Sequence, residues 1–210
     1  MKEDPVPLTL TSRDEGEELQ RGELYGLLAR LWLAPPDDAL LGQFAVAVTE
    51  APQRGSFLEA PWQDLVAALR ASSVAAAAQE YEALFVGIGK PDVLLYASQH
   101  LAGALNEKPL VAIRSDLAEL GLTRDATAND TEDHLSFLFE VMRYLIAGDD
   151  VAVCNLERQR RIFREHIQPW VATSLCDAIE AHPRARVYAA LAVFTRAFVQ
   201  VEAQGFDMIE

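Results

Sequence analysis

The sequence predicts an all-α protein, a single globular helical domain of the bundle type. Apolar residues recur at the three- and four-residue spacings of amphipathic helices along most of the chain. Alanine, a strong helix former, is abundant, whereas alternating apolar and polar runs bounded by turn residues are lacking. Half of the 210 residues are hydrophobic and 24% are charged, which indicates one substantial core.

The first predicted helix carries a leucine stripe that ends at Ala34-Pro35-Pro36, because proline disfavours helix in the residue before it. The stripe follows the i, i+3, i+4, i+7 pattern and consists of Leu24, Leu27, Leu28 and Leu31. The polar residues before it, 1–17, are predicted to form a flexible acidic tail, and residues 18–210 to form the helical domain.

Three further stripes predict the helices that follow. The first precedes the Gly-Ile-Gly-Lys-Pro turn, the second stops at Gly148, and the third lies near the end of the chain. The first stripe consists of Ala77, Tyr81, Leu84 and Phe85. The second consists of His134, Phe137, Leu138, Val141 and Leu145, and the third of Val187, Leu191, Phe194 and Phe198.

Two segments interrupt the helical pattern. Residues 85–98 hold two glycines and a proline before an apolar stretch, and residues 121–133 form a long polar connection. Connections of this length inside compact domains are often functional or mobile. We therefore predict a hinge at 121–133, between N-terminal and C-terminal helical parts, which would also allow a homodimer to form by domain swapping.

Composition excludes several functions. The net charge of −14 disfavours nucleic acid, whose binding depends on neutralising phosphates, and favours basic partners. The start of the chain lacks a basic segment followed by an apolar run, and no apolar stretch is long enough to span a bilayer. The two cysteines, Cys154 and Cys176, form no CxxC motif and are predicted to be buried small residues, in helices, of a protein in a reducing compartment.

Metal and catalytic motifs are missing from the sequence. The residues three positions before the four histidines are never glutamate, so the Glu-x-x-His pairs of bundle di-metal sites are absent. The motifs HExxH, GxSxG and GxxxxGK[ST] are absent as well. Lys90 follows a glycine turn that could touch a phosphate, but a helix C-terminus is the better interpretation. We expect no metal and no cofactor.

An acidic cluster at residues 130–134 stands where an apolar helix face begins. Asp130 or Thr131 could cap this helix, and Glu132 and Asp133 would suit the positive end of its dipole. A docking edge for a basic partner, with His134 beside it, is the alternative hypothesis.

Four motifs, taken together and in order, resemble the TorD/DmsD family, the NarJ-like cytoplasmic chaperones that mature molybdenum enzymes. The first is Y-x-x-L-F and the second a glycine- and proline-rich turn with Y-x-S. The third is D-H-L and the last is H-x-x-P-W. The first falls on Tyr81, Leu84 and Phe85, and the second on Gly87, Gly89, Pro91, Tyr96 and Ser98. The third falls on Asp133, His134 and Leu135, and the last on His166, Pro169 and Trp170.

The resemblance implies a chaperone and not an enzyme. Such a chaperone binds the twin-arginine leader, and often the apo body, of a molybdenum-enzyme catalytic subunit. It would delay export until the cofactor is inserted. An acidic edge beside an apolar groove suits such a peptide. The peptide-binding residues would be Tyr81, Leu84, Phe85, Tyr96, Ser98, Asp130, Glu132, Asp133 and His134, although a plain core role for the apolar members is equally compatible with their spacing.

This chain departs from the family text at the hinge. The usual Glu-Pro pair is Asp130-Thr131 here, and the proline before the tyrosine is Leu95, so the hinge should be less rigid. Two other functions stay open. One is a nitrate-reductase-type assembly chaperone with a client that is not exported, and the other is a nucleotide-binding protein.

Overall fold

The computed structural model describes residues 13–47, 57–87, 89–125 and 127–208, and this part of the chain contains α-helices and π-helical turns without a strand. The α-helices are α1 (Arg13–Leu33), α2 (Asp38–Ala45), α3 (Glu59–Arg70), α4 (Val74–Tyr81), α5 (Ala97–Ala102), α6 (Lys108–Glu119), α7 (Leu135–Ala147), α8 (Leu156–Ile162), α9 (Cys176–Glu180) and α10 (Val187–Asp207). The π-helical turns are Glu82–Val86, Phe163–Ile167 and Val171–Leu175. The predicted all-α class is confirmed.

The start of α1 corrects the predicted tail boundary. The helix begins at Arg13, so residues 13–17 of the predicted tail are helical. The glutamates before Leu19 extend the helix because glutamate is a good helix former. The remainder of the predicted tail, residues 1–12, lies outside the described residues.

The core is centred on α1, which packs against α7 and α10. Tyr25 of α1 makes edge-to-face contacts with Phe139 of α7 and Phe198 of α10, at centroid distances of 5.7 and 4.8 Å. Trp32 lies further along α1 and is fully buried. Its indole N–H donates to the Thr195 hydroxyl of α10 at 3.1 Å. The leucine stripe therefore lies on a helix that is held on two sides.

A distant carboxylate caps the N-terminus of α10. The Glu80 side chain accepts hydrogen bonds from the backbone N–H groups of Arg186, Val187 and Tyr188 at 2.7, 3.2 and 2.9 Å. These are first-turn donors that lack a partner within the helix. Glu80 thereby joins α4 to α10.

The second apolar stripe, before the glycine turn, lies in a regular helix only in part. Helix α4 ends at Tyr81, and Leu84 and Phe85 lie in the π-helical turn Glu82–Val86. The N–H of Gly87 closes this turn by donating to the Glu82 carbonyl at 2.7 Å. Gly87 has φ +61°, and a Cβ there would lie 2.8 Å from the Lys90 carbonyl oxygen, so glycine is required. The interpretation of this turn as a helix C-terminus is supported, with Ile88 outside the described residues.

The prediction that both cysteines are helical is half right. Cys176 begins α9 and is buried, but Cys154 lies in the connection between α7 and α8 and is partly exposed. Burial raises the pKa of the Cys176 thiol to about 12, so this thiol is not an activated nucleophile. Within the described ranges, no helix has both the length and the apolarity that a membrane crossing requires.

Candidate functional site

The segment before α5 and the segment before α7 lie side by side and pair as a short antiparallel bridge between Tyr96 and His134. The Leu135 N–H donates to the Leu95 carbonyl at 2.8 Å, and the Ala97 N–H donates to the Asp133 carbonyl at 3.0 Å. Two of the family-like motifs, separated by more than 30 residues in sequence, are therefore joined at one place.

Asp133 is a structural residue of this junction. Its carboxylate accepts the Ser98 N–H at 3.0 Å and the Thr131 hydroxyl at 2.6 Å, and the residue is 1% exposed. The prediction that Asp133 lies in the first turn of the helix is wrong, because α7 begins at Leu135 and Asp133 instead receives donors from the neighbouring segment. Asp133 cannot contact a partner without moving.

His134, not Asp130 or Thr131, is the N-cap of α7. Its Nδ1 accepts the Ser136 N–H at 3.3 Å and lies 2.8 Å from the Ser136 hydroxyl oxygen. Burial lowers the pKa of the imidazole, against the opposing fields of Asp130 and Asp133. The neutral ring is the form that can accept at Nδ1, so burial and capping favour the same protonation state.

Asp130 remains partly accessible, as does Glu132, whereas Asp133 is buried. Asp130 accepts the Tyr96 hydroxyl at 2.5 Å, and the Tyr96 ring in turn contacts the His134 imidazole with centroids 4.9 Å apart. Burial, with the hydrogen bond to Asp130 next, raises the pKa of Tyr96 above its ordinary range, so Tyr96 stays a donor. Tyr96 thus fixes the position of the Asp130 carboxylate.

The Glu132 side chain contacts arginines and does not contact the Tyr96–Asp130 pair. Its carboxylate pairs with Arg114 of α6 at 2.9 Å and lies 3.7 Å from the Arg124 guanidinium. Two cations of the same chain already compensate this charge. The prediction of Glu132 as a peptide-binding residue therefore has less support than that of Asp130.

A cavity of about 340 Å³ lies beside Asp130, between the end of α1, the connection before α7 and the start of α7. Its apolar wall comes from Ala29, Leu33 and Phe137, and its charged groups are Arg30, Asp130 and Glu140. Leu33 is 53% exposed, which is high for a leucine at the end of a core helix. Glu140 is paired with Arg143 at 2.7 Å, so the cavity combines mainly the Asp130 carboxylate with an open apolar surface.

None of the predicted apolar residues Tyr81, Leu84, Phe85 and Tyr96 is among the residues that line this cavity. Leu84 is fully buried and packs in the core, so it cannot form the floor of an open site. Tyr81 and Phe85 are half-buried, and the Tyr81 hydroxyl donates to the Leu33 carbonyl at 2.7 Å. Burial first, then Asp130 and Glu82, raise the pKa of Tyr81 to about 12. Tyr81 therefore lies within electrostatic reach of the cavity.

The Ser98 side chain is also buried and is not a surface group. Its backbone N–H binds Asp133, whereas its hydroxyl has no hydrogen-bond partner among the described residues. The role of position 98 in this junction is therefore carried by the backbone.

The histidine of the last motif belongs to a buried ion network. His166 Nε2 lies 2.6 Å from the Asp116 carboxylate, and Trp170 donates its indole N–H to the His166 carbonyl at 2.6 Å. Asp116, Glu165 and His166 bring candidate ligand atoms within 4.8 Å of one another. The Arg161 guanidinium, however, is already paired with Asp116 and lies 3.7 Å from Glu165. The cluster is therefore balanced by an internal cation.

Several lining residues were not predicted from sequence. Arg30 and Glu140 have the types expected on any exposed helix face, and Phe137 was assigned only to the stripe of α7. The high exposure of Leu33 is visible only once α1 is packed. Its position directly before Ala34-Pro35-Pro36 was the one sequence signal that this leucine lies at a helix end.

The fold and this junction define a helical protein with an acidic and apolar cavity at a long interhelical connection. The model of the family described as "Nitrate reductase delta subunit" matches residues 55–176, which is more than half of the chain. The chain belongs to this family, which comprises the NarJ- and TorD-type chaperones, and the resemblance noted above is confirmed.

A solved structure shows the same fold. A candidate redox enzyme maturation protein from Archaeoglobus fulgidus superposes with a TM-score of 0.55 at 16% identity, over 93% of this chain and 99% of that one. At this identity the likeness concerns the fold alone. No curated protein matches the chain.

Proposed function

We propose that this protein is a cytoplasmic chaperone for a molybdenum-enzyme catalytic subunit. It binds the twin-arginine leader and the apo form of its client, assists cofactor insertion and delays export. Membership in a family of maturation chaperones supports the general role. The observation that supports leader binding is the cavity that places Asp130 and Glu140 beside Leu33 and Phe137.

The chemistry of the cavity matches that of a leader. An arginine guanidinium forms charge-assisted hydrogen bonds to carboxylates, and the apolar residues that follow an arginine pair can be buried against leucine and phenylalanine. Asp130 is held by Tyr96 and so is preorganised to accept. The net charge of −14 draws a basic peptide toward the protein.

Titration calorimetry with a synthetic twin-arginine leader peptide tests this proposal. Asp130→Asn keeps an oxygen for the Tyr96 hydroxyl but removes the charge, so the affinity should fall about tenfold or more. Asp64→Asn, an exposed acidic residue of α3, is the matched control and should bind like the wild type. A peptide with two glutamines in place of the arginines should bind weakly to all three proteins. Equal affinity of the wild type and Asp130→Asn would contradict the proposed site.

A nitrate-reductase-type assembly role is the second candidate, and the name of the matched family favours it. In that case the client is recognised without an exported leader. A catalytic subunit that lacks its leader would then bind as tightly as the complete subunit. A nucleotide-binding role has less support, because the Asp130 carboxylate would repel phosphates in this cavity.

A further inference from the structure

The connection at 121–133 is fastened to α6 by the side chain of Glu132. This side chain is 12% exposed, although it belongs to a polar connection at the surface. Its Oε2 accepts the Arg114 Nε–H at 2.9 Å and lies 2.9 Å from Arg114 Nη2. Because Arg114 is a residue of α6, this ion pair joins the end of the connection to the helix that precedes it.

Arg124 holds the same connection from within. Its Nε lies 3.7 Å from the other carboxylate oxygen of Glu132, and its guanidinium also donates to the Ala128 carbonyl. Burial alone would raise the pKa of Glu132, but the pairing with Arg114 and Arg124 contributes to a net lowering of this pKa. The carboxylate is therefore ionised where it meets the two arginines.

The part of the connection between these two anchors forms one wall of the cavity. The wall consists of Thr127, Ala128, Asn129 and Asp130. Glu132 is not among the residues that line the cavity, so it acts on the wall from behind. Tyr96 holds the Asp130 side chain, and the ion pairs of Glu132 hold the backbone that carries it. The position of Asp130 in the cavity therefore depends on both restraints.

We propose that Glu132 is an ionic latch, which with Arg114 and Arg124 holds residues 127–130 in place as the cavity wall. Glu132 is then a positioning residue for Asp130 and not a ligand of the peptide. A carboxylate that is held in place binds more tightly than a mobile one, because less ordering is required on binding. The latch itself does not depend on the proposed leader binding, whereas its effect on leader affinity rests on that function.

Limited digestion with trypsin measures the latch without any peptide. Trypsin cleaves after arginine, so the rate at which the fragment ending at Arg124 appears in mass spectra reports how often the connection opens. Glu132→Gln keeps the shape of the side chain and removes its charge, so this cleavage should become about fivefold faster. Glu119→Gln is the matched control, because Glu119 also pairs with arginines, Arg158 and Arg161, but lies outside the connection. Its cleavage at Arg124 should match that of the wild type.

A second variant separates the latch from a direct effect on Arg124. Arg114 is 50% exposed, so Arg114→Gln should fold, and it leaves Glu132 and Arg124 in place. It should speed up cleavage at Arg124 as Glu132→Gln does, and the double variant should be cleaved no faster than Glu132→Gln, because both changes remove the same interaction. Added salt screens exposed ion pairs, so it should speed up cleavage of the wild type more than that of Glu132→Gln.

Calorimetry with the twin-arginine leader peptide tests the positioning of Asp130. Glu132→Gln and Arg114→Gln should each weaken binding about fivefold, and Glu119→Gln should not alter it. If Glu132 bound the peptide directly, Arg114→Gln would free its carboxylate and strengthen binding. That result, or cleavage at Arg124 that is unchanged in Glu132→Gln and Arg114→Gln, overturns the inference. If the peptide does not bind the wild type, the proposed function fails, and the digestion alone decides whether the latch exists.

Discussion

The Asp133 carboxylate and the Ser98 backbone N–H lie 3.0 Å apart and are joined by a buried hydrogen bond. This contact links the segment before α5 to the segment before α7, beside the Tyr96–His134 bridge. It holds the D-H-L motif against the Y-x-S motif. Both residues are buried, so the pair holds the start of α7 in place from inside the protein.

Asp133→Asn should destabilise the protein. Asparagine can accept one of the two hydrogen bonds that Asp133 accepts, but its amide group would face the other donor, either Ser98 N–H or the Thr131 hydroxyl. The cost of a buried unsatisfied group is about 1–3 kcal/mol, so the melting temperature should fall by roughly 2–10 °C.

Ser98→Ala serves as the comparison for Asp133→Asn. The Ser98 hydroxyl is buried and has no partner in the described part of the chain, so its removal should leave stability unchanged or slightly increased. Melting curves that reverse this order, with Ser98→Ala the weaker variant, would contradict the assigned contacts.

Glu80→Gln should weaken the N-terminus of α10. The carboxylate accepts three backbone N–H groups, and a glutamine offers a single oxygen to them. We expect a loss of about 1–2 kcal/mol in the free energy of unfolding, measured by urea denaturation. Glu82→Gln, an exposed carboxylate two residues later, is the control and should unfold like the wild type. Similar midpoints for the two variants would show that the cap contributes nothing.

The contrast between α1 and these contacts shows what the sequence could predict. The stripe through Leu28 and Leu31 is local, because the periodicity of a single segment determines which face is buried. The Asp133–Ser98 contact joins residues 35 positions apart, and Glu80 reaches Tyr188 over 108 positions. Nothing in the spacing of either segment encodes such a partner. The capping role of His134 was missed for the same reason, because the Asp133 carboxylate accepts a hydrogen bond from the distant backbone N–H of Ser98 and does not cap the helix.

The stability should fall as the pH drops below about 6.5, and His134 should account for part of that loss. Burial depresses the pKa of His134 below its ordinary value of 6.5, so the unfolded chain binds this proton more readily than the folded chain. The contribution of His134 to the free energy of unfolding is fully present above pH 6.5. It decreases as the pH falls from the pKa of the unfolded chain toward the lower pKa of the folded chain. Protonation of Nδ1 also removes the acceptor for Ser136 N–H.

His134→Asn should reduce this pH dependence, because asparagine is a good N-cap that does not titrate. Burial also lowers the pKa of His100, so some dependence should persist in the variant. The measurement is the melting temperature between about pH 5 and pH 8, a range that brackets the ordinary pKa of histidine. An identical slope in wild type and variant would show that His134 does not contribute.

The oligomeric state should be a monomer in equilibrium with a dimer. The connection at 121–133 is long enough to act as a swapping hinge, but its end is held by the hydrogen bonds of Leu135 and Ala97. Exchange should therefore be slow, and light scattering should find more dimer at higher protein concentration. A single higher oligomer at all concentrations would contradict this expectation.

The protein should also carry no stoichiometric transition metal, even though Asp116, Glu165 and His166 come together. The Arg161 guanidinium already pairs with Asp116, and a metal ion would have to displace it from two carboxylates. Zinc should therefore leave the melting temperature of the wild type unchanged. Arg161→Gln removes the internal cation and leaves an imidazole and two carboxylates, which are zinc ligands. Zinc should raise the melting temperature of this variant alone. Elemental analysis that finds about one zinc per wild-type chain would show instead that the metal displaces Arg161 from the carboxylates.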